Sequence, residues 1–163
     1  EFIMQKVSLF IDVQNIYYTS RQIYNCHFDY NKFWSIATKG RSVYKAIAYA
    51  TYRDDAKQKQ FQNILRGIGF EVKLKPFIER SDGSAKGDWD VGITIDIMEH
   101  AKKSDIVVLA SGDGDFDLLI QKIRTDYKLT AEVYGVEKLT ANSLVHSASQ
   151  FIPIKEDLLL KNR

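Results

Sequence analysis

Ile106-Val107-Val108-Leu109-Ala110-Ser111-Gly112-Asp113-Gly114-Asp115-Phe116-Asp117 is the stretch on which the fold turns. Its first half is an unbroken apolar, β-favouring run and reads as a buried strand. Its second half is small and acidic, and from Asp115 to Arg124 the spacing turns helical. Val7-Ser8-Leu9-Phe10-Ile11 repeats the pattern near the N-terminus: a buried strand that stops at Asp12, then helical spacing from Asn15 to Asn25. Asp29 is placed to cap a second helix through Ala37. Val43 to Thr51 reads as a strand, and Asp54-Asp55 opens a helix that Gly67 and Gly69 close. A strand over Glu71 to Ile78 and a polar loop over Glu79 to Gly87 precede a helix over Asp88 to Lys103, with Trp89, Ile93, Ile97 and His100 along one stripe. Ala131 to Tyr134 is a strand, Ala141 to Ala148 a helix, and Phe151 to Ile154 a last strand. Strands alternating with helices specify an α/β sandwich around a mostly parallel sheet. In such sheets ligands bind outside the carboxyl ends of the strands. Asp12 and Ser111-Gly112-Asp113 end two strands and therefore face one crevice.

The chain has 163 residues, 45% of them hydrophobic and 27% charged. That suits a single domain, here residues 4–163, and is too apolar for disorder. No window approaches the roughly 18 uninterrupted apolar residues of a membrane span, and no signal-peptide pattern opens the chain. The lone cysteine, Cys26, supports neither an internal disulfide nor a zinc site. An intracellular, cytoplasmic protein is the expectation. With 23 Lys+Arg against 21 Asp+Glu, the net charge of +2 implies no bulk attraction to nucleic acid or membrane. Within that balance, Asp12, Asp88, Asp90, Asp96, Asp113, Asp115 and Asp117 crowd into short segments.

One helix cap needs one Asp or Ser. Asp113, Asp115 and Asp117 at alternate positions exceed that, and at about 4 Å and an effective dielectric near 20 each ionised pair costs roughly 4 kcal/mol unless a cation is present. Gly112 and Gly114 leave room for close backbone approach. A calcium-loop reading fails because Arg124 stands where the twelfth-position Glu belongs. Asp12 and Asn15 read equally as turn and cap residues or as site residues. Asp88 suits a helix N-terminus. Asp96 lies about 240° round the helix from Asp90, so the two cannot both face one crevice, and Asp90 is the better candidate.

His27, His100 and His146 lack ligand spacing, no serine sits in a nucleophile elbow, and there is no phosphate-binding glycine loop. Lys73, Lys75, Arg80 and Lys86 flank the acidic segments and are candidates for phosphate contacts. Of Tyr17 and Tyr18, one is expected in the core and the other available to stack a base.

Three segments together, Phe10-Ile11-Asp12-Val13-Gln14-Asn15-Ile16, Lys86-Gly87-Asp88-Trp89-Asp90-Val91 and Ser111-Gly112-Asp113-Gly114-Asp115-Phe116, resemble the NYN domain, the LabA-like branch of the PIN-like nuclease superfamily. The resemblance spans nearly the whole chain, including Asn142-Ser143-Leu144 and Phe151-Ile152. It implies a Rossmann-like, PIN-like three-layer sandwich and metal-dependent cleavage of RNA. Asp12, Asp90, Asp113 and Asp115 then match the metal-binding, catalytic acids, supported by Asn15 and Ser111, with Asp88 and Asp96 nearby. Tyr18, Arg80 and Lys86 are the substrate-binding candidates. Trp89 stands where the family usually has Val, with an extra Asp88 before it, and Gln150 replaces a frequent acid. Hydrolysis of a phosphodiester needs an activated water and charge neutralisation, which Mg²⁺ or Mn²⁺ held by carboxylates supplies. A metal-dependent ribonuclease acting on single-stranded or structured RNA, with a homo-oligomer allowed, is the leading expectation. The alternative is a non-catalytic RNA-binding or regulatory module, which would gain little from keeping mutually repelling acids. A Mg²⁺-dependent phosphatase or phospho-receiver is a third reading, disfavoured because Gln14 replaces the second acid of a D-x-D motif.

Overall fold

The computed structural model describes residues 3–52, 55–76, 78–79, 85–86 and 88–161, with backbone alone for 78–79 and 85–86. The central sheet holds β1 (Lys6–Asp12), β3 (Ser42–Tyr52), β4 (Glu71–Pro76), β7 (Ile106–Ala110), β8 (Thr130–Gly135) and β9 (Gln150–Pro153), and every pairing within it is parallel. Their order across the sheet is β4-β3-β1-β7-β8-β9. Successive strands are therefore added outward in one direction from β1 (β3, β4) and in the other from β7 (β8, β9), so the β1–β7 seam is the topological switch point of a doubly wound sheet. Residue pairs Phe10↔Leu109 and Ile11↔Ala110 put the ends of these two strands side by side.

Helices cover both faces, completing a three-layer α/β sandwich of the expected PIN-like kind. α1 (Val13–Tyr24), α2 (Tyr30–Thr38) and α3 (Ala56–Ile68) cover one face; α4 (Asp90–Ala101), α5 (Asp117–Thr125) and α6 (Asn142–Ser147) cover the other. Strand side chains alternate between faces. Leu9, Ile11, Val108 and Ala110 thus join Ile16, Phe33 and Leu65 in one core, while Phe10, Val107 and Leu109 join Ile93, Ile97 and Ile120 in the other. Burial on both faces is why these strands are continuous apolar runs with no polar alternation.

At the amino ends of the strands polar groups are paired. Ser8 and Ser104 share a 2.6 Å hydrogen bond, and Arg41 forms a bidentate pair with buried Glu132, both N–H···O contacts at 2.8 Å. Asp29 and Asp55 cap α2 and α3 by accepting from Lys32 N and Gln58 N.

Several boundaries differ from the sequence reading. Gly67 lies inside α3, and Gly69 alone ends it, at φ +137°. The strand expected to reach Ile78 stops at Pro76, which has no N–H to donate, and Ile78–Glu79 (β5) instead pairs antiparallel with Ala85–Lys86 (β6). The loop expected over 79–87 therefore carries a short ladder at its two ends; its remaining residues lie outside those described. The acidic helix starts at Asp90, not Asp88, and a 3-10 turn at Gly114–Phe116 precedes α5. The pairing of β2 (His27–Phe28) with β10 (Leu159–Leu160) was not anticipated, since two-residue strands carry no periodic signal.

Candidate metal centre

Asp12 is both the last residue of β1 and the cap of α1. Its Oδ2 accepts from the Ser111 hydroxyl at 3.0 Å, and its Oδ1 from Asn15 N at 3.4 Å. Asn15 Oδ1 in turn accepts from Gly112 N at 2.9 Å, and the Ser111 hydroxyl oxygen from Asp113 N at 3.2 Å. Asn15 and Ser111 thereby tie the turn after β7 to the turn after β1. Asp113 Oδ1 accepts from Asp115 N at 2.9 Å, which bends the chain into the 3-10 turn.

The glycines of this segment serve close approach. Gly112 O accepts from Ala141 N, and a Cβ on Gly112 would stand 2.8 Å from the Leu139 carbonyl oxygen. A Cβ on Gly114 would stand 2.7 Å from that of Ala141. The 139–141 backbone is thus pressed against the acidic turn, a support the sequence reading missed because contact across so many residues leaves no local pattern.

Asp90 enters from the opposite face of the sheet. Trp89 anchors the start of α4: its Nε1–H donates to Ala50 O at 2.9 Å, and Lys75 Nζ sits 4.9 Å from its ring centre. Trp89 is therefore a peg that holds the start of α4, and with it Asp90, over the crevice. Carboxylate oxygens of Asp90, Asp113 and Asp115 lie within 4.8 Å of one another. The crevice, about 320 Å³, is lined by Asp12, Asp88, Asp90 and Asp113 together with Gln14, Asn15, Tyr18 and Thr19. Asp12 lines the same crevice but lies outside the tight triplet. Gln14 and Thr19, which line it on α1, were not singled out from the sequence.

Asp96 is not brought here. It is buried on α4, where its Oδ2 accepts from Lys73 Nζ at 2.7 Å and Tyr49 Oη at 2.8 Å. That pairing neutralises it and also removes Lys73 from the set of free phosphate-binding cations. Asp96, Glu99 and His100 are close enough to form a second group, but Asp96 is already satisfied within it. Asp117 caps locally, accepting from Leu118 N. The expectation of one core tyrosine is corrected: Tyr17 and Tyr18 are both exposed, because Val13, Ile16 and Ser20 take the buried face of α1. Arg80 and the Lys86 side chain lie outside the described residues, as does most of the polar loop that contains them.

Among the described residues no Lys or Arg forms an ion pair with Asp12, Asp90, Asp113 or Asp115. The consequence is proton retention. Burial, opposed in part by the Ser111 and Asn15 hydrogen bonds, raises Asp12 from 3.8 to about 6. Burial, a hydrogen bond shared with Asp113 and the charges of Asp113, Asp88 and Asp12 raise Asp90 to about 7. Uncompensated carboxylates with few protein donors suit a hard divalent cation, which prefers oxygen ligands and keeps open water positions.

These shifts predict an inverted pH dependence for the metal-free protein. A carboxyl whose folded pKa exceeds its unfolded value binds its proton more tightly when folded, so stability falls as pH rises between the two. In chelator, stability should drop between about pH 4 and pH 7, by about 2–3 kcal/mol from Asp12. Asp90 adds in the same direction but less, being more exposed and screened. Urea melts from pH 4.5 to 7.5 on wild type and Asp12→Asn check this; an equally steep slope in the variant would remove Asp12 as its source.

The NYN domain profile matches residues 6–156. The chain belongs to the NYN-domain family. A curated NYN relative is the low amplitude and bright protein LabA of Synechococcus elongatus, 25% identical over 159 residues, which cover 93% of this chain and 84% of that protein. Among solved structures, a protein of unknown function from Vibrio parahaemolyticus superposes with a TM-score of 0.92 at 53% identity, covering 96% of this chain and 97% of that one. A carbohydrate kinase from Agrobacterium tumefaciens (TM-score 0.52, 11% identity, 91% of this chain and 60% of that one) shares the fold alone. Among the described residues of this NYN domain, no helix is long and apolar enough to cross a membrane.

Proposed function

We propose that this NYN domain is a Mg²⁺- or Mn²⁺-dependent ribonuclease whose centre is the acidic crevice at the switch point. The observation that carries the reading is the convergence of Asp12, Asp90 and Asp113, from three elements, with no cation opposite them among the described residues. In this reading Asp90, Asp113 and Asp115, whose carboxylates lie close enough to share one ion, would hold it, with Asp12 and Asp88 available from the same crevice. A bound divalent ion supplies an acidified water and neutralises charge on the phosphate. Ser111 and Asn15 keep Asp12 and the Gly112–Asp113 backbone in register, and burial of Asp12 limits the water around it. Tyr18, at the crevice wall, offers a face to a base of single-stranded or structured RNA. Arg80 and Lys86 are assigned to the phosphates by their sequence position. Among the described residues no histidine lines the crevice, so the carboxylates are the available proton acceptors.

The test is incubation with labelled single-stranded and hairpin RNA in Mn²⁺ and in chelator, beside thermal melting over a Mn²⁺ titration. Cleavage confined to Mn²⁺, with a rising melting temperature, is expected; a ligand at 100 times its Kd adds about 2.7 kcal/mol to the folded state. Binding of RNA without turnover at any Mn²⁺ concentration would instead mark the non-catalytic alternative. A melting temperature unmoved by millimolar Mn²⁺ would dismiss the metal centre.

A further inference from the structure

Beside the acidic crevice lies a second and larger hollow of about 470 Å³, on the α1–α3 side of the sheet edge. Gln14 and Tyr18 line both, so the two adjoin. Their chemistry differs. Among the described residues no carboxylate lines the larger hollow, whose floor is apolar, with Val13, Ala50 and Phe61. Its wall is aromatic: Tyr18 meets Tyr17 edge to face at 5.3 Å between ring centres, and Tyr17 leans on His27 at 5.9 Å and 33°. Tyr17 and Tyr18 stand 42% and 52% exposed; the Arg21 guanidinium lies 5.7 Å from the Tyr17 ring centre and donates to its hydroxyl, and both rings keep surface in water.

We propose that this hollow is a nucleobase subsite that receives an unpaired base of single-stranded RNA next to the phosphate held in the crevice. The assignment rests on the ribonuclease reading and extends it to substrate class. Flat aromatic faces are what an unstacked base seeks, and the stacking tolerates any base. Gln14 and Gln58 bring amides, each a donor and an acceptor, to the rim, and among the described residues neither side chain is engaged in a hydrogen bond. Such groups fit the edge of a base that has no Watson–Crick partner. Lys57 adds a cation for a flanking phosphate, away from the repelling acids. The width suits one nucleotide, since small-molecule sites run from about 300 to 1,000 Å³. A duplex keeps its bases stacked and paired, so the subsite selects single strands.

The experiment measures anisotropy of fluorescein-labelled single-stranded RNA hexamers in chelator, where no turnover interferes, and repeats the series as cleavage in Mn²⁺. Each hexamer carries one abasic position. At one position, loss of the base should weaken wild-type binding at least about 10-fold. Tyr17→Ala should bind the intact hexamer at least about 10-fold more weakly and be indifferent to that abasic position, while the distant Tyr44→Ala behaves as wild type. A blunt RNA duplex should bind more weakly than the hexamer. If wild type cleaves RNA and either no abasic position matters or Tyr17→Ala binds as tightly as wild type, the subsite is wrong and the nuclease reading stands. If wild type neither binds nor cleaves any RNA, the nuclease reading has failed and takes the subsite with it. Because the abasic series is read on the unaltered protein, a variant that fails to fold does not decide the matter.

Discussion

Asp113→Asn is expected to lower RNA cleavage by at least about 10²–10³-fold, the range for removing one group that stabilises developing charge in a closed site. The metal-free variant should be as stable as wild type or slightly more so. The substituted side chain would keep an Oδ1 to accept from Asp115 N, as Asp113 does now. Its new amide would donate to Asp90, replacing the shared proton that raises the Asp90 pKa. One of several mutually repelling charges also disappears. Rate and melting temperature measured on one preparation separate the possibilities. Loss of activity with stability kept, and a weaker Mn²⁺-dependent rise in melting temperature, would put Asp113 in the metal centre. Loss of both would make it a cap for the turn at Gly114–Phe116. Full activity would end the assignment.

Arg41→Met should destabilise the fold without touching the crevice. Glu132 is buried on β8, and its carboxylate accepts from both terminal nitrogens of Arg41 at 2.8 Å. Deleting the guanidinium strands that charge and costs the hydrogen bond to Ala37 O. A fully buried pair broken on one side costs about 3–5 kcal/mol, and partial exposure of Arg41 brings the expectation to about 2–3 kcal/mol. The double variant Arg41→Met/Glu132→Leu should recover most of the loss, because no unpaired charge then remains. Denaturant melts of the two variants check this, and a single variant as stable as wild type would show that Glu132 finds water instead. Mn²⁺ binding should be unaffected in both, since the pair lies at the opposite end of the strands from Asp12.

Much of the fold was readable along the chain because both faces of the sheet are covered. Val7–Ile11 and Ile106–Ala110 are apolar almost without interruption, and that pattern marks buried parallel strands. The acids were readable for a related reason. Asp12 ends the first run and Asp113, Asp115 and Asp117 follow the second, and while Asp12 alone read equally as a cap, three acids at alternate positions exceed what one cap needs. The break at Pro76, the β5–β6 ladder and the β2–β10 pair were not readable, since short edge pairings carry too few residues to show a period and depend on partners the local pattern does not name.

What the sequence alone determined is the alternation of strands and helices and the set of acids that ends the strands. Both follow from local periodicity and from the cost of burying charge. The tertiary structure decided which acids meet. Strand order sets β1 beside β7, and only that adjacency lets Ser111 reach Asp12 and Asn15 reach Gly112. Trp89 bound to Ala50 O brings Asp90 over the same crevice, while Lys73 and Tyr49 take Asp96 out of play within the same helix. Along the sequence the helical phase already separates Asp90 from Asp96, but it does not say what each one meets. Their difference lies in which side chains the neighbouring strands β3 and β4 present to them, and so in whether each charge is balanced by a lysine or left for a cation from solution.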